Sequence, residues 1–225
     1  MDFSSILNEM VRIDTDVFLF FNQMHSPYFD YFMSAFSGKF IWVPLYASLL
    51  YLLLKNFDWK VTLMSVLGIT LLIVITDQTG ASLIRPEVCR LRPANLENPI
   101  SDMVHIVNGY RGGRYGFPSC HASNTFGLAF FLLFLFRTRK LSVFFLSWAV
   151  LTCYSRIYLG VHYPGDTLAG MLLGLAAAAL VYVVLRRFCG LPRKEEIAHD
   201  YVPIAVGGLT VVGIAVYSGI MLWVA

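Results

Sequence analysis

Six apolar stretches punctuate this chain, near residues 30–54, 60–83, 120–136, 141–158, 165–187 and 202–224. Crossing a hydrocarbon core takes about 20 residues of helix, and these runs meet or approach that length. Each is read as a helix able to span the hydrocarbon core. The expected fold is all-α: a polytopic membrane bundle of six transmembrane helices. With 57% apolar and only 14% charged residues in 225, the chain is too oily for an ordinary soluble domain. No repeat, low-complexity tract or linker divides it, so residues 1–225 read as a single membrane-embedded domain. Residues 3–25 mix apolar and acidic positions in pieces too short to cross, and read as a helical segment lying in the interface. Met1, Asp2 and Phe3 supply no basic stretch ahead of the first apolar run, so the first span is expected to direct insertion.

The net charge of +3 is small, and the basic residues lie in separate loops rather than one stripe. Nucleic-acid binding is therefore not expected. Cys89, Cys120, Cys153 and Cys189 form no CxxC pair, which suggests free thiols. Cys89 and Cys120 do fall on one membrane face, so a disulfide between them stays open. Nothing in the sequence calls for a protein partner.

Cytoplasmic loops retain lysine and arginine. The loops after spans one, three and five carry Lys55, Lys60, Arg137, Arg139, Lys140, Arg186, Arg187, Arg193 and Lys194. Both termini are then expected outside, in a bacterial inner membrane. Three polar clusters share that outer face: Arg85-x6-Arg92-Pro93, then Pro118-Ser119-Cys120-His121, then Ser155-Arg156-x5-His162-x3-Asp166. An error of one helix in the count would scatter them to opposite sides, so their convergence supports the topology and a common site, residues 85–166, together.

Arginine at the end of a membrane span is costly and marks either an anchor or a function. Arg85, Arg92 and Arg156 lie beside Pro, Ser or other constrained positions without acidic partners spaced to neutralise them, and their counter-ion reads as the substrate. A guanidinium fork matches phosphate oxygens and stays charged. Arg90, Arg111 and Arg114, in a glycine-rich loop, read instead as solvated charge. Ser119 occupies the N-cap of the third span, where its hydroxyl and the first free N–H groups can face an anion. His162 is followed four residues later by Asp166, a spacing that lets the carboxylate fix the imidazole tautomer and raise the nucleophilicity of the other nitrogen. His121 then remains to protonate the leaving oxygen and activate water. A metal reading competes, with His121, His162, Asp166 and Asp77 as ligands. Carboxylates are scarce and arginines plentiful, so an arginine clamp without a metal or other cofactor is the simpler account. Asp77 reads as an interfacial polar residue outside the site.

These clusters resemble the motifs of the type-2 phosphatidic acid phosphatase family: Lys-x6-Arg-Pro, Pro-Ser-Gly-His and Ser-Arg-x5-His-x3-Asp. The third is matched fully, by Ser155, Arg156, His162 and Asp166. In the second, Cys120 stands where glycine is usual; in the first, Arg85 stands for lysine. The resemblance spans roughly residues 60–190 and implies a metal-independent phosphatase of membrane lipids that forms a phosphohistidine at His162. Arg85 keeps the charge with a different fork, whereas Cys120 adds a side chain where only glycine leaves a backbone fully open. The third span, from His121 to Phe136, is sixteen residues, about 24 Å of helix, which sets His121 near the headgroup level.

The expected function is hydrolysis of a membrane lipid phosphate or pyrophosphate, from undecaprenyl pyrophosphate, lipid A, phosphatidylglycerophosphate or phosphatidic acid, on the periplasmic side. A lipid phosphotransferase using the same site is one alternative. A non-catalytic lipid-phosphate binding or transport protein is another.

Overall fold

The computed structural model describes residues 2–224, apart from the side chain of Phe3; Met1 and Ala225, the two ends of the single-domain reading, lie outside the described residues. Nine α-helices follow in order among these residues. They are α1 (Phe3–Asn22), α2 (Pro27–Phe36), α3 (Val43–Asn56), α4 (Trp59–Asp77), α5 (Arg85–Val88), α6 (Cys120–Leu135), α7 (Arg139–Tyr158), α8 (Pro164–Cys189) and α9 (Tyr201–Val224). No strand is present among the described residues, only isolated bridges such as Leu91 with Tyr115.

Local chemistry sets several of the ends. Ser26 caps α2 by accepting from Phe29 N–H, with Pro27 preset at the first helical position. Asp58 caps α4 through two backbone N–H groups, of Lys60 at 2.8 Å and Val61 at 3.0 Å. Gly190, at φ 68°, closes α8 in the left-handed conformation that glycine adopts without strain.

Four helical stretches are long and apolar enough to cross a membrane: Trp59–Val88, Arg139–Tyr158, Pro164–Cys189 and Tyr201–Val224. The helix expected over 30–54 is instead a pair, α2 and then Phe40–Asn56, bent by 67°. Ser37 and Gly38 interrupt the apolar run there, and Pro44 starts α3. Counted as one span, the pair makes five. Helix α6 is apolar but shorter, 16 residues. The span expected over 60–83 continues through a π-helical segment, Gln78–Ile84, to Arg85.

Of the helical segment expected over 3–25, residues 3–22 form the 20-residue helix α1. Ile6, Leu7, Met10 and Val11 are exposed, while Phe18 and Asn22 near its end are fully buried. Asn22 is fastened by its side-chain amide, which donates to the carbonyls of His105, Ile157 and Tyr158 and accepts from His105 N–H. One buried amide thereby ties α1 to the long loop and to the end of α7.

The tightest helix pair is α6 against α8. A Cβ at Gly174 would lie 2.5 Å from the carbonyl oxygen of Ser123, and one at Gly170 would collide with that of Ser119. Two glycines four apart let the backbones touch, the usual way of packing helices when lipid removes the hydrophobic drive. The result brings the starts of both helices together: Ser119 N–H donates to the Asp166 carbonyl at 3.0 Å. Gly170→Val is expected to separate them, giving large losses of both folded yield in detergent and activity. A far milder effect is expected of Gly208→Val, where a Cβ meets nothing within 4 Å.

Candidate active site

His162 lies in the short connection between α7 and α8, and Asp166 is the third residue of α8. The side chains are 2% and 0% exposed, so what they bond to decides their chemistry. Nδ1 of His162 meets Oδ2 of Asp166 at 3.3 Å, and the same oxygen accepts Tyr163 N–H at 3.1 Å. A carboxylate in the first turn of a helix also interacts favourably with its free N–H groups. Gly116 packs directly on this pair, and a Cβ there would stand 2.9 Å from Oδ2. A side chain at Gly116 would therefore push the carboxylate off the ring.

Arg92 determines which nitrogen of His162 carries the proton. Its Nη1 donates to His162 Nε2 at 2.9 Å and to the Val161 carbonyl at 2.9 Å. A guanidinium has no acceptor, so Nε2 presents its lone pair and Nδ1 holds the proton toward Asp166. Burial, and then the charges of Arg92, Arg156 and Arg85, hold the imidazole well below its ordinary range. Arg92 itself is lowered to about 10, first by burial and then by Arg156 and Arg85, which leaves it charged at neutral pH. The ring is a neutral base surrounded by cations.

The three arginines singled out by sequence converge around this ring. Arg156 donates from Nη1 to Ser37 Oγ at 2.6 Å. The break between α2 and α3 is what delivers that hydroxyl, a partner the sequence offered no pattern to find. Arg85 donates from Nη2 to the Pro118 carbonyl at 3.1 Å and to Cys120 Sγ at 3.2 Å. The two departures from the family motifs therefore touch each other, and the Cys120 sulfur faces a guanidinium. Six buried side-chain polar atoms lack a hydrogen-bond partner among the described residues, and three of them are Nε of Arg85, Arg92 and Arg156. Three guanidiniums with unpaired donors, and no carboxylate on any of them among the described residues, form a site that an anion with several oxygens would complete.

Ser119 is fully buried, and its hydroxyl caps α6 through a long bond of 3.5 Å from Ala122 N–H. His121 is partly exposed, with no hydrogen bond holding its ring among the described residues, and it feels the charges of Arg156 and Arg92 and the ring of His162. The open question over Cys89 and Cys120 resolves as free thiols, with Cys89 donating to the Pro86 carbonyl. Asp77 stays apart, accepting from Asn124 at 3.0 Å.

The reading of Arg90 as solvated charge is corrected. Its Nη1 bridges Asp166 Oδ1 at 3.0 Å and Asp14 Oδ2 at 2.7 Å, and its guanidinium lies 3.9 Å from the Tyr163 ring centroid. Asp14 also accepts Gly165 N–H at 2.7 Å. Helix α1 thus braces the carboxylate that holds His162. Arg114 does face solvent, paired with Glu97 at 2.6 Å, and Arg111 donates to the Ala94 carbonyl at 2.7 Å. The only advance sign for Arg90 was its place two residues from Arg92, with an acidic residue in an otherwise greasy N-terminal segment.

A model of the PAP2 superfamily matches residues 62–188, which contain all three clusters. A lipid A 4'-phosphatase of Bacteroides thetaiotaomicron is 53% identical, across 92% of this chain and 95% of that protein. A second protein of that name, from Porphyromonas gingivalis, is 35% identical across 78% of this chain and 74% of its own length. The crystal structure of Aquifex aeolicus LpxE superposes with a TM-score of 0.55 at 23% identity, covering 74% of this chain and 93% of that one. At that identity the likeness concerns the fold.

Two outcomes follow from the geometry. Arg90→Ala strands two carboxylates and frees the Asp166–His162 pair, so kcat should fall about 10²-fold with KM little changed, and Arg90→Lys should restore part of it. A fall confined to KM would contradict the bracing role. In ¹⁵N spectra of labelled protein, His162 should remain a neutral Nδ1–H imidazole at pH 6, because a depressed value keeps the ring unprotonated below the ordinary histidine range. A doubly protonated ring at that pH would contradict it.

Proposed function

Since the chain belongs to the PAP2 superfamily and is a membrane lipid phosphatase, we propose that it removes the 4'-phosphate of lipid A through a phosphohistidine formed at His162. The observation that carries this substrate is the 53% identity, over nearly the whole length of both chains, to a protein named lipid A 4'-phosphatase. The convergence of Arg85, Arg92 and Arg156 with unpaired Nε donors supports a phosphoryl group as guest.

In the first step the Nε2 lone pair of His162 attacks phosphorus as Arg92 shifts its hydrogen bond from the ring to a phosphoryl oxygen. The P–O bond to the sugar breaks, and His121, which takes up a proton as the negatively charged phosphate binds beside it, gives that proton to the departing 4'-oxygen. Asp166 holds the Nδ1 proton and stabilises the cationic ring that results, as the orienting carboxylate of a nucleophile–base set does. In the second step His121 takes a proton from water, the hydroxide attacks phosphorus, the P–N bond breaks, and inorganic phosphate leaves. The arginines stay charged in both steps, the electrostatic role that a metal fills elsewhere.

We place the site at the periplasmic face of a bacterial inner membrane. Six crossings are assigned to the bent pair α2–α3 and to α4, α6, α7, α8 and α9, with α1 lying along the interface. Exposed apolar residues such as Ile6 and Met10, on a helix whose end is anchored at Asn22, support that placement of α1. The excess of arginine and lysine in the loops at the other ends supports the orientation.

Purified protein, incubated with bis-phosphorylated lipid A in EDTA, should release one inorganic phosphate and leave a product that fragments as the 1-phosphate. His162→Ala should abolish turnover. Loss of the 1-phosphate instead would reject the regiochemistry, and full activity of His162→Ala would reject the mechanism. Label appearing in a lipid acceptor rather than in inorganic phosphate would make the enzyme a transferase.

A further inference from the structure

At the ends of α6 and α8 remote from His162, two adjoining hollows open between the helices, and the proposed chemistry uses neither. The first, about 630 Å³, has walls of Phe134, Ala179, Tyr182 and Val183, with Arg186, Arg187 and Arg193 at its margin. The second, about 510 Å³, shares Phe134 and Arg193 and adds Leu133, Arg137 and Arg139. Among the described residues no ion pair joins any of these five arginines to a carboxylate.

The arginines are more than loop charges retained by topology. Tyr182 is 3% exposed, and its hydroxyl accepts from Arg193 Nε at 3.2 Å and from Arg186 Nη1 at 3.4 Å. Arginine only donates, so the phenol keeps its own proton for another acceptor. Arg193 is held from both sides. Leu191 is buried, and Lys194 exchanges backbone hydrogen bonds with the end of α6, accepting from Arg137 N–H at 3.0 Å and donating to the Leu135 carbonyl at 3.1 Å. The same ladder fixes where Arg137 begins the second hollow.

We propose that these hollows bind an anionic phospholipid of the leaflet opposite the active site. The phosphodiester would sit among Arg137, Arg139, Arg186 and Arg193, and its acyl chains would lie along Phe134 and Val183. Charge complementarity argues for the headgroup, since unpaired arginines at the end of membrane helices attract anionic lipid. The walls argue for the chains: Leu133, Phe134, Ala179 and Val183 offer a soluble anion nothing, while Val183 and its neighbour Leu180 are themselves exposed on the lipid-facing side. A bound lipid here would brace α6 against α8 at the ends farthest from the glycine contact.

The test uses the full-length protein in an uncharged detergent, with thermal unfolding followed on adding phosphatidylglycerol, phosphatidylcholine or inorganic phosphate. Phosphatidylglycerol is expected to raise Tm by several degrees through binding to the folded state, and the other two to leave it unchanged. The shift should persist in saturating vanadate, which occupies the catalytic phosphate site. It should be lost in Arg139→Gln/Arg193→Gln, with phosphatase activity retained. Because Arg193 also bonds Tyr182, Arg137→Gln/Arg139→Gln provides a second variant that disturbs no side-chain hydrogen bond among the described residues, and native mass spectra should show at least tenfold weaker retention of phosphatidylglycerol. An equal shift with phosphatidylcholine or inorganic phosphate, loss of the shift in vanadate, or undiminished lipid retention in the second variant would each overturn the proposal.

Discussion

One buried carboxylate holds the starts of two helices and the proposed nucleophile in register. Asp166 is fully buried, yet each part of it is engaged: Oδ2 by His162 and Tyr163 N–H, Oδ1 by Arg90, and its backbone carbonyl by Ser119 N–H. A charge buried in this way survives only if paired and hydrogen-bonded. Removing one partner therefore does more than delete a contact, since it leaves the others without their counter-charge. Arg90 and Asp14 carry the same network out to α1, so a helix that reads as a surface anchor bears on the geometry around the proposed nucleophile.

Around that centre the balance of charge is reversed from a metal site. Three guanidiniums act on His162, and among the described residues none of Arg85, Arg92 and Arg156 pairs with a carboxylate. Burial first, and then these crowded cations, depress the basicity of the imidazole between them. In the proposed mechanism an arriving phosphate would relieve the repulsion between these cations and fill the unpaired Nε donors, so binding and charge stabilisation would come from the same groups. The scaffold holds these groups in place through the close approach of α6 and α8 at Gly170 and Gly174 and the bend that supplies Ser37 to Arg156.

Most of the helices and the contact of His162 with Asp166 were legible in the sequence because both rest on strong local signals. Long apolar runs in a lipid solvent leave few alternatives to helix, and His162 with Asp166 four residues later is a spacing that a helix start converts into contact. What escaped depended on tertiary approach. The bend at Ser37 and Gly38 falls inside a run that composition alone reads as continuous. Arg90 looked like its loop neighbours Arg111 and Arg114 until Asp14 and Asp166 came together on either side of it. Gly170 and Gly174 are inconspicuous in a greasy helix, and their meaning lies in the carbonyls of Ser119 and Ser123 that they let approach. The substitutions Arg85 and Cys120, separate in the chain, proved to be one contact.

The central claim is that His162 accepts the phosphoryl group, and on Nε2, because Asp166 holds the proton on Nδ1. The most direct measurement is rapid quenching during turnover of a ³²P-labelled lipid phosphate, followed by mapping of the labelled residue. The account predicts an acid-labile, base-stable phosphoenzyme with phosphorus on Nε2 of His162. Acid-stable label on Ser119, or label on His121 with none on His162, would contradict it.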